Sequence, residues 1–307
     1  MTSNNFLITI VGPTAIGKTA LSIQLAKHFK ADIISCDSRQ FYKEMRIGTA
    51  VPETDELAAA KHHFIQNRSI FDDYNVGSFE RDALSKLDEL FKENPVQIMV
   101  GGSGLYVDAV LKGLDYFPEV DPKIRETLTE ELETKGLEYL QEKLKELDIE
   151  TYNAIEIENP KRVTRALEVC IGSGIPYSTF KNKPKAPRNF TSIKVGLNAD
   201  REIIYARINQ RVDIMIENGL LEEAKELYPN KSLNALQTVG YRELFSYFDE
   251  DFTKEFAISE IKKNTRRFAK RQLTWFKKDE NTLWFDYLTD LNTIIAKISD
   301  KINKTNS

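Results

Sequence analysis

The most chemically loaded stretch of the chain is Gly12-Pro13-Thr14-Ala15-Ile16-Gly17-Lys18-Thr19. It follows the apolar run Phe6–Val11 and precedes residues 20–29, which read as a helix. That is the strand, GxxxxGKS/T, helix context demanded by a P-loop of the nucleotide-binding, ATP-binding type. Glycines let backbone wrap an anion, amide N–H groups and the positive helix N-terminus face it, Lys18 adds a point charge, and the Thr19 hydroxyl can reach a bound Mg2+. Two or more linked phosphates are the natural ligand. The loop alone does not say which compound carries them, or whether a phosphoryl group moves.

Asp37 follows the apolar run 33–36 and so falls at the carboxyl end of a second strand, where open parallel sheets bind their ligands. A carboxylate there ligates Mg2+, accepts a proton from a nucleophile, or caps a helix. Ser38 and Gln40 behind it carry hydroxyl and amide groups suited to a polar heterocycle. Cys36 has no basic neighbour in sequence and reads as a small buried residue. His62 and His63 would point to opposite faces of a strand, cannot readily share a metal ion, and read as surface or substrate-edge residues. Gly101-Gly102-Ser103-Gly104-Leu105-Tyr106 follows the run Val96–Val100. It is either a second ligand-approach turn or a turn whose glycines serve packing. Arg207 and Arg211 lie four apart on one helical face, placed to close on a diphosphate opposite Lys18 or to pair with Glu202 or Asp213.

Between residues 261 and 278 stand Lys262, Lys263, Arg266, Arg267, Lys270, Arg271, Lys277 and Lys278, with no acidic residue. At helical spacing all but Lys262 share one side, while Ile261, Phe268 and Trp275 fall opposite and are expected to pack on the core. Solvated helices usually interleave signs, so this face is expected to meet a polyanion. Lys181, Lys183, Lys185 and Arg188 form a second basic site, and Lys161, Arg162 and Arg165 a third. On a 307-residue chain of net charge −4, such localised basic surface argues for a defined nucleic-acid footprint.

These residues need a scaffold. Short apolar runs at Phe6–Val11, 33–36, Val96–Val100, 193–197 and 283–285 alternate with helical patterns, the mark of a parallel sheet with helical crossovers. Charge-rich helical stretches at 124–134 and 137–147 fill the gap before the fourth run, with Pro118 and Pro122 at one end and Pro176, Pro184 and Pro187 at the other. The expectation is an α/β fold: a P-loop NTPase-like parallel-sheet core over 1–117 and 188–307, with an inserted helical domain over 118–187. Two Cys and three His exclude a disulfide framework and argue against a structural zinc site. No apolar run reaches the roughly 18 residues of a membrane span, and residues 1–5 lack the positive charge of a signal peptide, so a cytoplasmic protein that does not enter the membrane is expected.

Taken in order, the P-loop, Asp37-Ser38-Arg39-Gln40-Phe41-Tyr42, Ile47-Gly48-Thr49-Ala50, the Gly101–Tyr106 turn, Arg162-Val163-Thr164-Arg165-Ala166-Leu167-Glu168, Val239-Gly240-Tyr241-Arg242 and Ala269-Lys270-Arg271-Gln272-Leu273-Thr274-Trp275 resemble the bacterial tRNA dimethylallyltransferase (tRNA isopentenyltransferase, IPP transferase) family. The resemblance implies transfer of a dimethylallyl group from dimethylallyl diphosphate to the exocyclic amine of the adenosine just 3′ of the anticodon, with Mg2+ as cofactor. The P-loop would then hold the diphosphate leaving group and no ATP would be consumed. By the same resemblance Asp37 is the general base, and Lys18, Thr19 and Arg211 neutralise the leaving diphosphate. Ser103 stands where the family usually has Thr and keeps the hydroxyl. Contact with tRNA is implied for Asp37, Ser38, Arg39, Gln40, Ser103, Arg125, Lys161, Arg162, Val163, Thr164, Arg165, Gly240, Tyr241, Arg242, Lys270 and Arg271. No role is assigned to Cys36, and none is insisted on for Arg39. A monomer is the simplest expectation. The competing readings are a small-molecule P-loop kinase, a prenyltransferase acting on free AMP or ADP, and a non-catalytic RNA-binding switch.

Overall fold

The computed structural model describes residues 4–306; residues 1–3 and 307 of the expected core lie outside the described residues. In chain order the first elements are β1 (Phe6–Val11), α1 (Lys18–Phe29), β2 (Ile33–Ser35), α2 (Thr54–Ala59), β3 (His62–His63), α3 (Val76–Leu90), β4 (Val96–Val100) and α4 (Gly104–Lys112). Helices α5 (Pro122–Lys135), α6 (Leu137–Leu147), α7 (Ile149–Ala154) and α8 (Pro160–Ser173) follow. The chain then forms β5 (Thr191–Asn198), α9 (Arg201–Glu217), α10 (Leu220–Leu227), α11 (Tyr241–Phe248), α12 (Lys254–Phe276), β6 (Leu283–Asp286) and α13 (Leu291–Asn306).

The six strands form one parallel sheet in the order β3-β2-β4-β1-β5-β6. Alternation along β1 explains its place near the middle. Phe6, Ile8 and Ile10 join Leu21, Leu25, Ile204 and Ile298 on one face, whereas Leu7 and Val11 join Phe79, Leu87, Val107 and Val110 on the other. Registers Ile10 to Val100 and Val100 to Ser35 bring the carboxyl ends of β1, β4 and β2 level. The P-loop, the Gly101–Ser103 turn and Asp37 therefore leave the sheet at one edge.

Five of these strands coincide with the apolar runs; the sixth is β3. Two histidines make no apolar run, but Ile33 pairs with His62 and Ile34 with His63, and His63 Nε2 lies 2.8 Å from Asp32 Oδ2. A further cluster, built on Leu220, Ala224, Tyr241, Leu244, Phe245, Ala257 and Ile261, joins α10, α11 and α12 into a helical layer.

The chain divides into two compact units, one up to Lys112 and again from Arg188, the other Gly113–Pro187. The second begins before the expected residue 118 because residues 113–117 are tied to its own far end. Lys185 Nζ donates to Gly113 O at 2.9 Å, the Asn182 amide donates to Asp115 Oδ1 at 3.2 Å, and Phe117 stacks on Tyr177 with centroids 4.6 Å apart. Within this unit Asp121 and Asn159 cap α5 and α8, each with Pro in the first turn. Leu128, Leu140, Leu144, Val163 and Leu167 form its core.

Candidate active site

The P-loop backbone is shaped by Gly12 at φ 143° and Gly17 at φ 111°. Gly17 caps α1, whose first turn holds no acidic residue, so its positive end faces the loop. Lys18 Nζ arches back to Pro13 O at 2.8 Å. Burial, helped by Arg211 and opposed by Asp37, lowers its pKa to about 8. The two arginines of α9 divide their work. Arg207 Nε donates to Ala15 O at 2.7 Å and braces the loop, while Arg211 lines the cavity beyond it. Asp213, a possible partner for either, is taken by Lys262 at 2.5 Å.

Asp37 Oδ1 accepts from the Arg39 amide at 3.1 Å. Burial raises the Asp37 pKa, opposed by that hydrogen bond and by Lys18, Arg39 and Arg211. Ser103 Oγ accepts from the Ser38 amide at 3.1 Å and shares a hydrogen bond with Ser38 Oγ at 3.1 Å. Both glycines flanking Ser103 serve close approach: a Cβ on Gly102 would meet Gln272 Nε2 at 2.2 Å, and one on Gly104 the Trp275 ring at 2.5 Å. The packing reading of this turn thus holds for its glycines, while Ser103 supplies the polar contact.

Two cavities meet at Asp37. One, of about 380 Å3, runs along the P-loop to Ser35, Gln40 and Arg46. The other, of about 420 Å3, is walled by Tyr106, Phe268, Arg271, Gln272 and Trp275. Thr14, Asp37, Thr49, Ala50, Arg211 and Met215 line both. A carboxylate and a guanidinium therefore stand where the cavity along the P-loop opens into an apolar, aromatic one.

Comparison with known proteins decides the family. Residues 40–279 match the family model described as IPP transferase. A tRNA dimethylallyltransferase of Flavobacterium psychrophilum is 66% identical over 304 residues, covering 97% of this chain and 99% of the relative. The chain belongs to the IPP transferase family. Among solved structures, the full-length tRNA isopentenylpyrophosphate transferase of Bacillus halodurans is 35% identical with TM-score 0.74, covering 98% of each chain. A eukaryotic dimethylallyltransferase acting on tRNA is 26% identical with TM-score 0.77, covering 94% of this chain and 75% of that one.

Within this IPP transferase the residues expected to contact tRNA fall into two groups. Lys161, Arg162, Arg242, Lys270 and Arg271 are exposed, and Thr164 and Arg165 half-buried. Among the described residues neither Lys270 nor Arg271 is ion-paired, whereas Arg125 and Arg165 both hold the buried Glu168, at 2.8 and 3.0 Å. Other expectations need correction. The Val163 side chain is fully buried in the core of its unit, so it cannot face RNA. Tyr241 is equally buried, its hydroxyl donating to Glu223 Oε1 at 2.7 Å; Gly240, buried at φ 100°, serves as the start of α11. Arg39 Nη1 is committed to Asn234 O and Ala235 O at 2.9 and 2.8 Å. Gln40 Nε2 holds Thr49 O and Ala50 O at 3.2 and 2.9 Å. Gln40 thereby shapes the cavity wall at Thr49 and Ala50, and the Gln40 and Arg39 side chains each line one of the two cavities.

The basic helix is also rearranged. Ile261 is buried as expected, but Phe268 and Trp275 are more than a third exposed and line the apolar cavity, and Ala257, Ala269, Gln272 and Phe276 pack inward. Lys262 and Lys263 pair with Asp213 and Glu260, and Arg266 bonds Asn209. In the second basic site Lys185 is held by Asp115 and Arg188 by Glu80. Two site residues escaped the sequence reading. Glu223 accepts from the Arg46, Ile47 and Gly48 amides at 2.9, 2.8 and 2.9 Å, and Gln272 bridges the P-loop and the Ser103 turn. Only membership of the Ala269–Trp275 motif hinted at Gln272; nothing marked Glu223.

Proposed function

We propose that this chain transfers a dimethylallyl group from dimethylallyl diphosphate to N6 of the adenosine 3′-adjacent to the anticodon of tRNA, releasing diphosphate. The observation that carries this is the pair of cavities sharing Asp37 and Arg211, one ending in a phosphate loop and the other in aromatic and basic side chains. The P-loop amides, Lys18, Thr19 and Arg211 receive the diphosphate and the charge it gains as the C1–O bond breaks. The C1–N6 bond forms from the second cavity, and Asp37 takes the proton that N6 loses. An aromatic wall accepts a base only after it leaves its stack, so the adenosine enters flipped. Arg162, Arg165, Arg242, Lys270 and Arg271 grip the RNA backbone.

Mg2+ fits this set of donors. Among the described residues no three His, Cys, Asp or Glu side chains come together, and the ion would be held by the Thr19 hydroxyl with substrate phosphate oxygens and water, leaving the Asp37 carboxylate to take the N6 proton. Bound there, it supplies charge neutralisation of the diphosphate. We read the enzyme as a monomer acting in the cytoplasm.

The test is transfer of label from dimethylallyl diphosphate to an anticodon stem-loop, with Mg2+ and without ATP, alongside AMP as acceptor. Label on the stem-loop only is the expected result. Label on AMP would instead identify a free-nucleotide prenyltransferase, and label on neither would turn attention to a kinase and ATP.

A further inference from the structure

Gln272 is 6% exposed on the inward side of α12, and its carboxamide spans two loops remote in sequence. Its Oε1 accepts from the Thr14 amide at 2.9 Å, and its Nε2 donates to Gly102 O at 2.9 Å. Thr14 belongs to the phosphate loop. Gly102 belongs to the turn whose Ser103 hydroxyl holds Ser38, the residue after Asp37. The fit is tight, since a Cβ on Gly102 would lie 2.2 Å from Gln272 Nε2. One turn along, Trp275 Nε1 donates to Asp108 Oδ2 at 3.1 Å and ties α12 to α4, so the helix bearing Gln272 is itself braced. A carboxamide offers one acceptor and one donor together; a carboxylate offers acceptors only and would set an oxygen against Gly102 O.

We infer that Gln272 is a positioning residue for the proposed prenyl transfer, locking the diphosphate loop to the Ser103 turn and so setting the separation between leaving group and general base. The inference rests on the reading of function given above. Reactions of this kind tolerate little misplacement: about 1 Å can cost roughly a hundredfold in rate.

Three proteins test it: the parent, Gln272→Met, which keeps the volume and loses both bonds, and Gly102→Ala, which keeps Gln272 and displaces its amide. Each is measured for kcat on an anticodon stem-loop, for stem-loop affinity, and for binding of inorganic pyrophosphate. The expected result for both variants is kcat at least about fivefold lower and pyrophosphate bound at least about threefold more weakly, with stem-loop affinity within about twofold. A smaller fall in kcat overturns the inference, as does a loss confined to stem-loop affinity, which is what a helix that only grips RNA would show. Should Gln272→Met not fold by circular dichroism, Gly102→Ala decides by the same criteria. Pyrophosphate binding needs no acceptor. A parent inactive on the stem-loop would therefore sink the proposed function, while the pyrophosphate comparison still decides whether Gln272 holds the loop.

Discussion

At the scale of single residues, Lys18 and Asp37 are pushed toward neutrality by the same burial, and the proposed reaction needs both charged. Replacing Asp37 with Asn should lower kcat by about 100- to 10,000-fold while stem-loop affinity stays within a few-fold; equal loss of both would remove Asp37 from the chemistry. The pH profile follows from the two shifts. Asp37 works as the anion, and its raised pKa means that activity is lost as pH falls through a value above the ordinary carboxylate range. Lys18 works as the cation, so kcat/KM for dimethylallyl diphosphate should fall as pH rises through about 8. Bound diphosphate stabilises the Lys18 cation, which places the alkaline limb of kcat above that of kcat/KM. Coincident alkaline limbs would assign that limb to another group. Both residues were legible in the sequence because a glycine turn and a strand end are local features. The pKa shifts were not, because burial is a property of the assembled site.

At the scale of elements, α12 shows how far periodicity reaches. A hundred-degree repeat correctly finds one inward and one cationic side, but Phe268 and Trp275 sit beside a cavity, which the helix pattern cannot distinguish from a core. Lys270→Glu combined with Arg271→Glu should weaken stem-loop binding at least tenfold and lower its salt dependence by about one unit of log–log slope for each phosphate no longer neutralised. Pyrophosphate affinity, read in parallel, should be unchanged; its loss would mean that the helix itself had moved. Glu223 on α10 is the matching case of an element-level anchor without a local signature. It accepts three successive backbone amides and the Tyr241 hydroxyl, which fixes the loop holding Thr49 and Ala50 at the junction of the cavities. Glu223→Ala leaves those donors without their acceptor and should cost about 2–4 kcal/mol in urea unfolding. A change below about 1 kcal/mol would show that water replaces the carboxylate freely.

At the scale of the whole molecule, a chain of net charge −4 presents exposed cations at Lys161, Arg162, Arg242, Lys270 and Arg271. RNA affinity should therefore depend steeply on ionic strength. If about five phosphates are neutralised, stem-loop binding should weaken by roughly two orders of magnitude between 50 and 200 mM monovalent salt. A flat response would point to recognition dominated by base contacts. Much of the architecture was readable beforehand: the apolar run of β1, the P-loop turn, and the prolines bounding the insertion each depend on neighbours a few residues apart. The compact unit starts at Gly113, a few residues before 118, and residues 113–117 are held by partners some sixty to seventy positions away, as in Lys185 to Gly113.

The sequence by itself determined the phosphate loop, the carboxylate at the second strand's end, the parallel α/β plan and, through its ordered motifs, the family. Tertiary structure alone decided that two cavities share Asp37 and Arg211, that Arg39, Gln40 and Tyr241 hold partners remote in the chain or across a loop, and that Gln272 joins two loops. The reason is physical. Backbone dihedrals and side-chain periodicity act between near neighbours, whereas the bonds of Gln272 cross 258 and 170 positions and leave no periodic or turn signal behind.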